Sequence, residues 1–137
     1  AEDEEMRQRI ANHREQRPDH WHVIEEPIKL AEALSKVNTE HCILLDCLTL
    51  WLTNLLLTDD FCLFTQERDA FLNVLPTLKN RMIIVSNETN MGITPMGELS
   101  RRYCDEAGRL HQALAQHCDQ VVLTVAGLPH TLKGQSL

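Results

Sequence analysis

Two short apolar runs that end abruptly in polar residues constrain the fold of this chain more than anything else in it. His41 to Asp46 reads Cys-Ile-Leu-Leu before its carboxylate, and Met82 to Val85 reads Met-Ile-Ile-Val before Ser86, Asn87 and Glu88. Neither run alternates apolar with polar residues, so each is expected to be a strand buried on both faces, as in a parallel sheet. A parallel pair needs a crossover of a dozen residues or more between its strands. Helical patterns supply it: Leu48 to Leu57 places Leu48, Leu52, Leu55 and Leu56 along one side, and Gln66 to Lys79 is helical at least in part, with Pro76 near its end. The polar stretch Thr58-Asp59-Asp60 is expected to loop.

Further elements extend this alternation. Glu2 to about Gln16 is expected to be an amphipathic helix with Met6, Ile10 and His13 on one face, stopped by Arg17-Pro18-Asp19. Trp21 to Glu25 reads as a short strand, and Lys29 to Val37 as a helix turning Leu30, Leu34 and Val37 inward. After a loop punctuated by Gly92, Pro95 and Gly97, a long helix is expected from Glu98 to about His117, carrying Leu99, Tyr103, Leu110 and Leu114. Gln120 to Ala126 reads as a third buried strand. Helices alternating with strands define an α/β class with a mostly parallel sheet flanked by helices. At 137 residues the chain is expected to form a single domain over 1–137.

Composition excludes several functions. A formal charge of −7 is the wrong sign for a nucleic-acid groove, although a few local arginines suffice for a single nucleotide. No apolar run approaches the roughly 20 residues needed to span a bilayer. Five cysteines without a C-x-x-C pair fit a reducing compartment, which makes the cytoplasm the expected location. The acidic start, without an initiator Met, is unlike a signal peptide and points to a processed, truncated or partial chain.

Ligands of open parallel sheets bind outside the carboxyl ends of the strands, which singles out Asp46 and the Asn87-Glu88 pair. A carboxylate there suits Mg²⁺ held directly or through water, and it equally suits a helix cap. His13, with Arg9, Arg14 and Arg17 close along the chain, has a phosphate-like environment in which a neutral imidazole can attack an α-phosphate. Arg and His also suit a helix C-terminus through its dipole alone. His20 and His22 raise a metal site, but no second pair follows at a structural spacing. Cys47 is read as a small buried hydrophobe rather than a nucleophile.

Four segments taken together resemble one family. Asp3 to Arg14, with Arg17-Pro18 and Trp21, resembles the guanylylation segment of the adenosylcobinamide kinase and adenosylcobinamide-phosphate guanylyltransferases. Leu44 to Leu56 is similar to a second signature. Val85 to Pro95, running on through Arg101-Arg102-Tyr103 to Ala107–Leu110, is similar to a third, and Val125 to Pro129 with Leu132-Lys133 to a fourth. The resemblance implies a P-loop NTPase fold of the RecA-like type. It implies phosphorylation of adenosylcobinamide and then transfer of GMP from GTP, through a guanylylated histidine, to give adenosyl-GDP-cobinamide.

By motif position that histidine is His13. The resemblance further implies nucleotide contacts from Arg14, Arg17, Glu25, Thr49, Asn87 and Glu88, Mg²⁺ at Asp46, GTP or ATP as substrates, and a trimer. Thr89-Asn90 stand where Val-Gly is more usual. No G-x-x-x-x-G-K-[ST] loop occurs in the sequence, so the first strand-loop-helix is expected to be missing, and kinase activity with it if the molecule lacks that segment. Three accounts compete: an enzyme of this family, a non-catalytic remnant keeping its scaffold, and a small metal-binding module using His20, His22 and a cysteine.

Overall fold

The computed structural model describes residues 4–18 and 20–137, with the side chain of His13 outside the described set. The helices are α1 (Glu4–Gln16), α2 (Leu30–Ser35), α3 (Leu48–Leu57), α4 (Phe61–Val74) and α5 (Glu98–His117), with a 3-10 turn at Leu75–Thr77. The strands are β1 (Ile43–Asp46), β2 (Met82–Val85), β3 (Val121–Val125) and β4 (Leu128–Lys133).

β1 and β2 pair in parallel, with Ile43 opposite Met82 and Asp46 opposite Val85, so both strands finish at the same edge. Their crossover carries α3, α4 and the 3-10 turn, joined by the Thr58-Asp59-Asp60 loop, and so meets the length requirement. Alternation along the pair separates two faces. Leu45 is buried, with Ile43, Met82 and Ile84 packed against the same cluster, while Leu44, Ile83 and Val85 are exposed. The expectation of burial on both faces therefore holds for one face only among the described residues.

The core gathers around α3, whose Leu48, Trp51, Leu52, Leu55 and Leu56 are all buried. This helix is apolar nearly all round because it packs against both α4 and α5. The Trp51 ring meets Phe71 of α4 edge-on at 5.1 Å, and its Nε1 donates to Ile28 O at 2.8 Å. The indole is thus buried with its one donor satisfied. Asn54 Nδ2 donates to Pro27 O, so α3 also holds the segment that leads into α2.

Several expectations need correction. Trp21 to Glu25 forms no strand: Trp21, Val23 and Ile24 are exposed, and no described strand lies beside them to pair with. Helix α1 forms, but its apolar content is too thin for a buried face, and Met6 stays 46% exposed. α4 begins at Phe61 rather than near Gln66, because the Asp60 side chain accepts from Leu63 N at 3.0 Å and caps it. β3 is not a third strand of the parallel sheet. It pairs antiparallel with β4 in a separate two-stranded sheet. The turn between them is Ala126-Gly127, both at positive φ (52° and 74°), which is the twist a two-residue hairpin demands. Lys133 of β4 donates to Ala115 O (2.8 Å) and Gln116 O (3.3 Å), tying the hairpin to the end of α5. A cation there also complements the helix dipole.

Candidate active site

The carboxyl edge of β1 and β2 gathers three kinds of polar group. Asp46 ends β1 and is exposed, its carboxylate without a hydrogen-bond or ion-pair partner among the described residues. It does not cap α3: the residue at that cap is Cys47, whose side chain makes no capping bond. The capping alternative for Asp46 therefore fails on geometry. One turn on, Thr49 is 5% exposed, its hydroxyl accepting from Asn87 Nδ2 at 3.0 Å and lying 3.2 Å from Cys47 Sγ. This bond ties the segment after β2 to the first turn of α3. Glu88 folds back to accept from Asn90 N at 2.6 Å.

Helix α5 closes this edge from the side. The Ser86 hydroxyl and His111 Nε2 are 2.6 Å apart, pinning the end of β2 to the middle of α5. Asn90 lies over Gly108, its Nδ2 2.8 Å from where a Cβ would stand, so the side chain of the loop rests directly on the helix. Tyr103 places its hydroxyl beside Thr49 and Thr53. Burial pushes its ionisation up, and the two threonine hydroxyls only partly offset that, so Tyr103 is a neutral hydrogen-bonding group here. Ser86 belongs to the polar run that the sequence sets after β2, and Tyr103 to the third resembling segment. His111 and Thr53 carry no such sign, because their place here depends on how α3 and α5 pair.

A second polar group lies along the preceding chain. Arg14 of α1 and Glu25 face each other at 3.7 Å, both largely exposed, a pair worth little to stability. Arg17 follows α1, its backbone N–H bonded to Arg14 O. His13 falls within α1 by its backbone, and its side chain lies outside the described residues. Thr49 and Asn87 are thus brought together, as are Arg14 and Glu25, while no hydrogen bond or ion pair among the described residues joins the two pairs. His22 stacks on His41 at 5.8 Å, and no group of three or more potential metal ligands occurs among the described residues. No described helix is long and apolar enough to cross a membrane.

A carboxylate, an amide and a hydroxyl at the carboxyl edge of parallel strands, with helices on the covered face, define an α/β protein that takes its ligand at that edge. Comparison with known proteins narrows the class. A family model described as cobinamide kinase / cobinamide phosphate guanyltransferase matches residues 1–132. The chain is 57% identical over 138 residues to the bifunctional adenosylcobalamin biosynthesis protein CobP of Pseudomonas aeruginosa, covering 100% of this chain and 80% of that protein. It is 34% identical over 145 residues to the bifunctional adenosylcobalamin biosynthesis protein CobU of Escherichia coli, covering 96% of this chain and 80% of that protein. The chain belongs to the cobinamide kinase / cobinamide phosphate guanyltransferase family.

Proposed function

We propose that this protein acts in adenosylcobalamin biosynthesis as a transferase, phosphorylating adenosylcobinamide and passing GMP from GTP to adenosylcobinamide phosphate through a guanylylated His13. The observation that carries the reading is the family match over residues 1–132. The convergence of Asp46, Thr49 and Asn87 at one sheet edge supports it, because phosphoryl and nucleotidyl transfer need positioned polar groups more than covalent machinery.

In this reading the His13 imidazole attacks the α-phosphorus of GTP, the bond to the β-phosphate oxygen breaks, and pyrophosphate leaves. The phosphate oxygen of adenosylcobinamide phosphate then displaces the imidazole, giving adenosyl-GDP-cobinamide and free His13. Arg14 and Arg17 offset the charge on the transferring phosphoryl group. Glu25 orients Arg14 through their ion pair. Thr49, Asn87 and Glu88 hold the nucleotide at the sheet edge.

A magnesium ion fits this donor set: it binds proteins through one or two carboxylates, waters and substrate phosphates, and Asp46 is a water-accessible carboxylate with no competing partner among the described residues. When bound, Mg²⁺ supplies neutralisation of phosphate charge, with Asp46 as its protein ligand. The reading carries with it a nucleotide-binding α/β domain over 1–137 of P-loop type, whose G-x-x-x-x-G-K-[ST] loop is not in this sequence and on which the kinase step depends, and a cytoplasmic homotrimer.

Intact-mass spectrometry tests it. Incubation with GTP and Mg²⁺ is expected to add one GMP, and His13→Ala to abolish the adduct while leaving the fold intact, since a helix-end histidine contributes about 1 kcal/mol or less. Retained labelling in His13→Ala would move the nucleophile elsewhere.

A further inference from the structure

The sheet edge continues into a cleft that the transfer chemistry leaves unused. A cavity of about 370 Å³ opens between the end of α3 and the start of α5, lined by Thr53, Leu56, Leu57, Leu99, Tyr103 and neighbouring residues, and its wall is mostly apolar. Beside it lies a polar hollow of about 280 Å³ lined by Asn90, Thr94, Arg101, Asp105 and the loop between them. Thr89 and Cys104 belong to both walls, and Cys104 Sγ donates to Thr89 O at 3.6 Å, so one thin partition separates the two. The Thr89 hydroxyl is buried there without a hydrogen-bond partner. Such a group costs free energy until something supplies one.

Three observations identify the occupant. The cavity adjoins the nucleotide edge through Tyr103, whose hydroxyl sits beside both Thr53 in the cavity wall and Thr49 at the strand end. Apolar wall and polar hollow lie side by side, matching a ligand with an apolar face and a polar fringe. Large apolar side chains also stand exposed on the rim: Leu57 and Leu99 at the cavity, and Ile93 of the polar hollow at 98% exposure. Exposed apolar surface of this kind marks a binding face. A corrinoid has this chemistry, a largely apolar ring fringed by amides. A cavity at the small end of the usual ~300–1,000 Å³ range takes one flank of such a ring and not the whole.

We infer that the cleft between α3 and α5 is the acceptor subsite, with the apolar cavity holding a flank of the corrin ring and Thr89, Asn90, Arg101 and Asp105 meeting its amide side chains. The inference rests on the proposed activity and adds the place where the acceptor sits. The Arg101 guanidinium donates to the carbonyls of Met96 and Pro95, which holds it beside the polar hollow that it lines.

Calorimetric titration of the intact protein with dicyanocobinamide, and separately with GTP, tests it. Leu99→Glu and Leu57→Gln are both substitutions at exposed positions, and a carboxylate in the first turn of α5 suits that helix end, so neither should disturb folding. Leu99→Glu is expected to weaken cobinamide binding about tenfold or more, because the carboxylate is desolvated against an apolar ring without gaining a partner. Leu57→Gln and Thr89→Val should each weaken it several-fold. GTP affinity should stay unchanged in all three, and Leu132→Glu on β4 should change neither. Wild-type cobinamide affinity in both Leu99→Glu and Leu57→Gln would overturn the subsite and leave the activity standing. Wild-type protein that takes up no cobinamide would overturn the activity itself, and the subsite with it.

Discussion

Replacing Thr49 by Val tests whether the sheet edge is held by side-chain hydrogen bonds or merely by packing. The two side chains share shape and β-branching, so the substitution removes one hydroxyl and little else. That hydroxyl is buried, accepts from Asn87 Nδ2 at 3.0 Å, and neighbours the Tyr103 hydroxyl. An intramolecular hydrogen bond contributes a net of about 0.5–1.5 kcal/mol, and a partner left buried and unsatisfied costs about 1–3. Here Asn87 is exposed and rehydrates, and Tyr103 keeps Thr53 beside it, so the loss belongs near the bottom of those ranges. The expected destabilisation is about 1 kcal/mol, read as a lower urea midpoint at unchanged slope by far-UV circular dichroism. In a double-mutant cycle with Asn87→Ala, the coupling should be about 0.5–1 kcal/mol. Thr49→Val at wild-type stability, or strictly additive effects with Asn87→Ala, would refute the account of how β2 is tied to α3.

Asp46→Asn should weaken the Mg²⁺ dependence of GMP labelling while leaving the melting temperature unchanged, because Asp46 has no partner among the described residues; an unfolded variant would argue against the assignment. Burial raises the Glu67 carboxyl's ionisation above its ordinary value, an effect that Lys29 only partly offsets. Because the folded value lies above the unfolded one, ionised Glu67 costs stability; the cost grows as pH rises through that window and is constant above it. Glu67→Gln should therefore melt higher than wild type at pH 7 and converge with it below about pH 4. A variant that melts lower at pH 7 would mean that attraction to Lys29 outweighs burial. Leu55→Ala, at a side chain with no exposed surface, should cost about 2–5 kcal/mol in urea unfolding, and a loss under 1 would show that the core around α3 collapses into the gap.

The elements readable from sequence were those whose determinants are local. α3, β2 and α5 occupy the spans expected of them, since an apolar helical period or a short β-rich run bounded by polar residues is visible in a single stretch of chain. The start of α4 is equally local: Asp60 stands just ahead of the helix and its carboxylate accepts from Leu63 N. Trp21–Glu25 and Gln120–Ala126 share strand-like composition, yet only the second found a partner, in β4. A strand is decided by what lies beside it, which composition does not report. The Ala126-Gly127 pair between two apolar runs was the available sign of that hairpin. At the site, Asp46 and Asn87 were legible as strand-end polar groups. Tyr103 and the cleft arise from the pairing of α3 with α5, and Leu99 of the expected long helix stands 53% exposed at the cavity mouth.

Helix α5 has 20 residues and is therefore about 30 Å long. Its first turns wall the cleft and its last carbonyls are gripped by Lys133 of the hairpin. The rod is held midway as well, where His111 meets Ser86 at the end of β2. With its middle and its last turn both tied down, only the cleft-lining turns are left as a short free arm, so the width of the mouth is set by those two anchors and not by the surface of the hairpin.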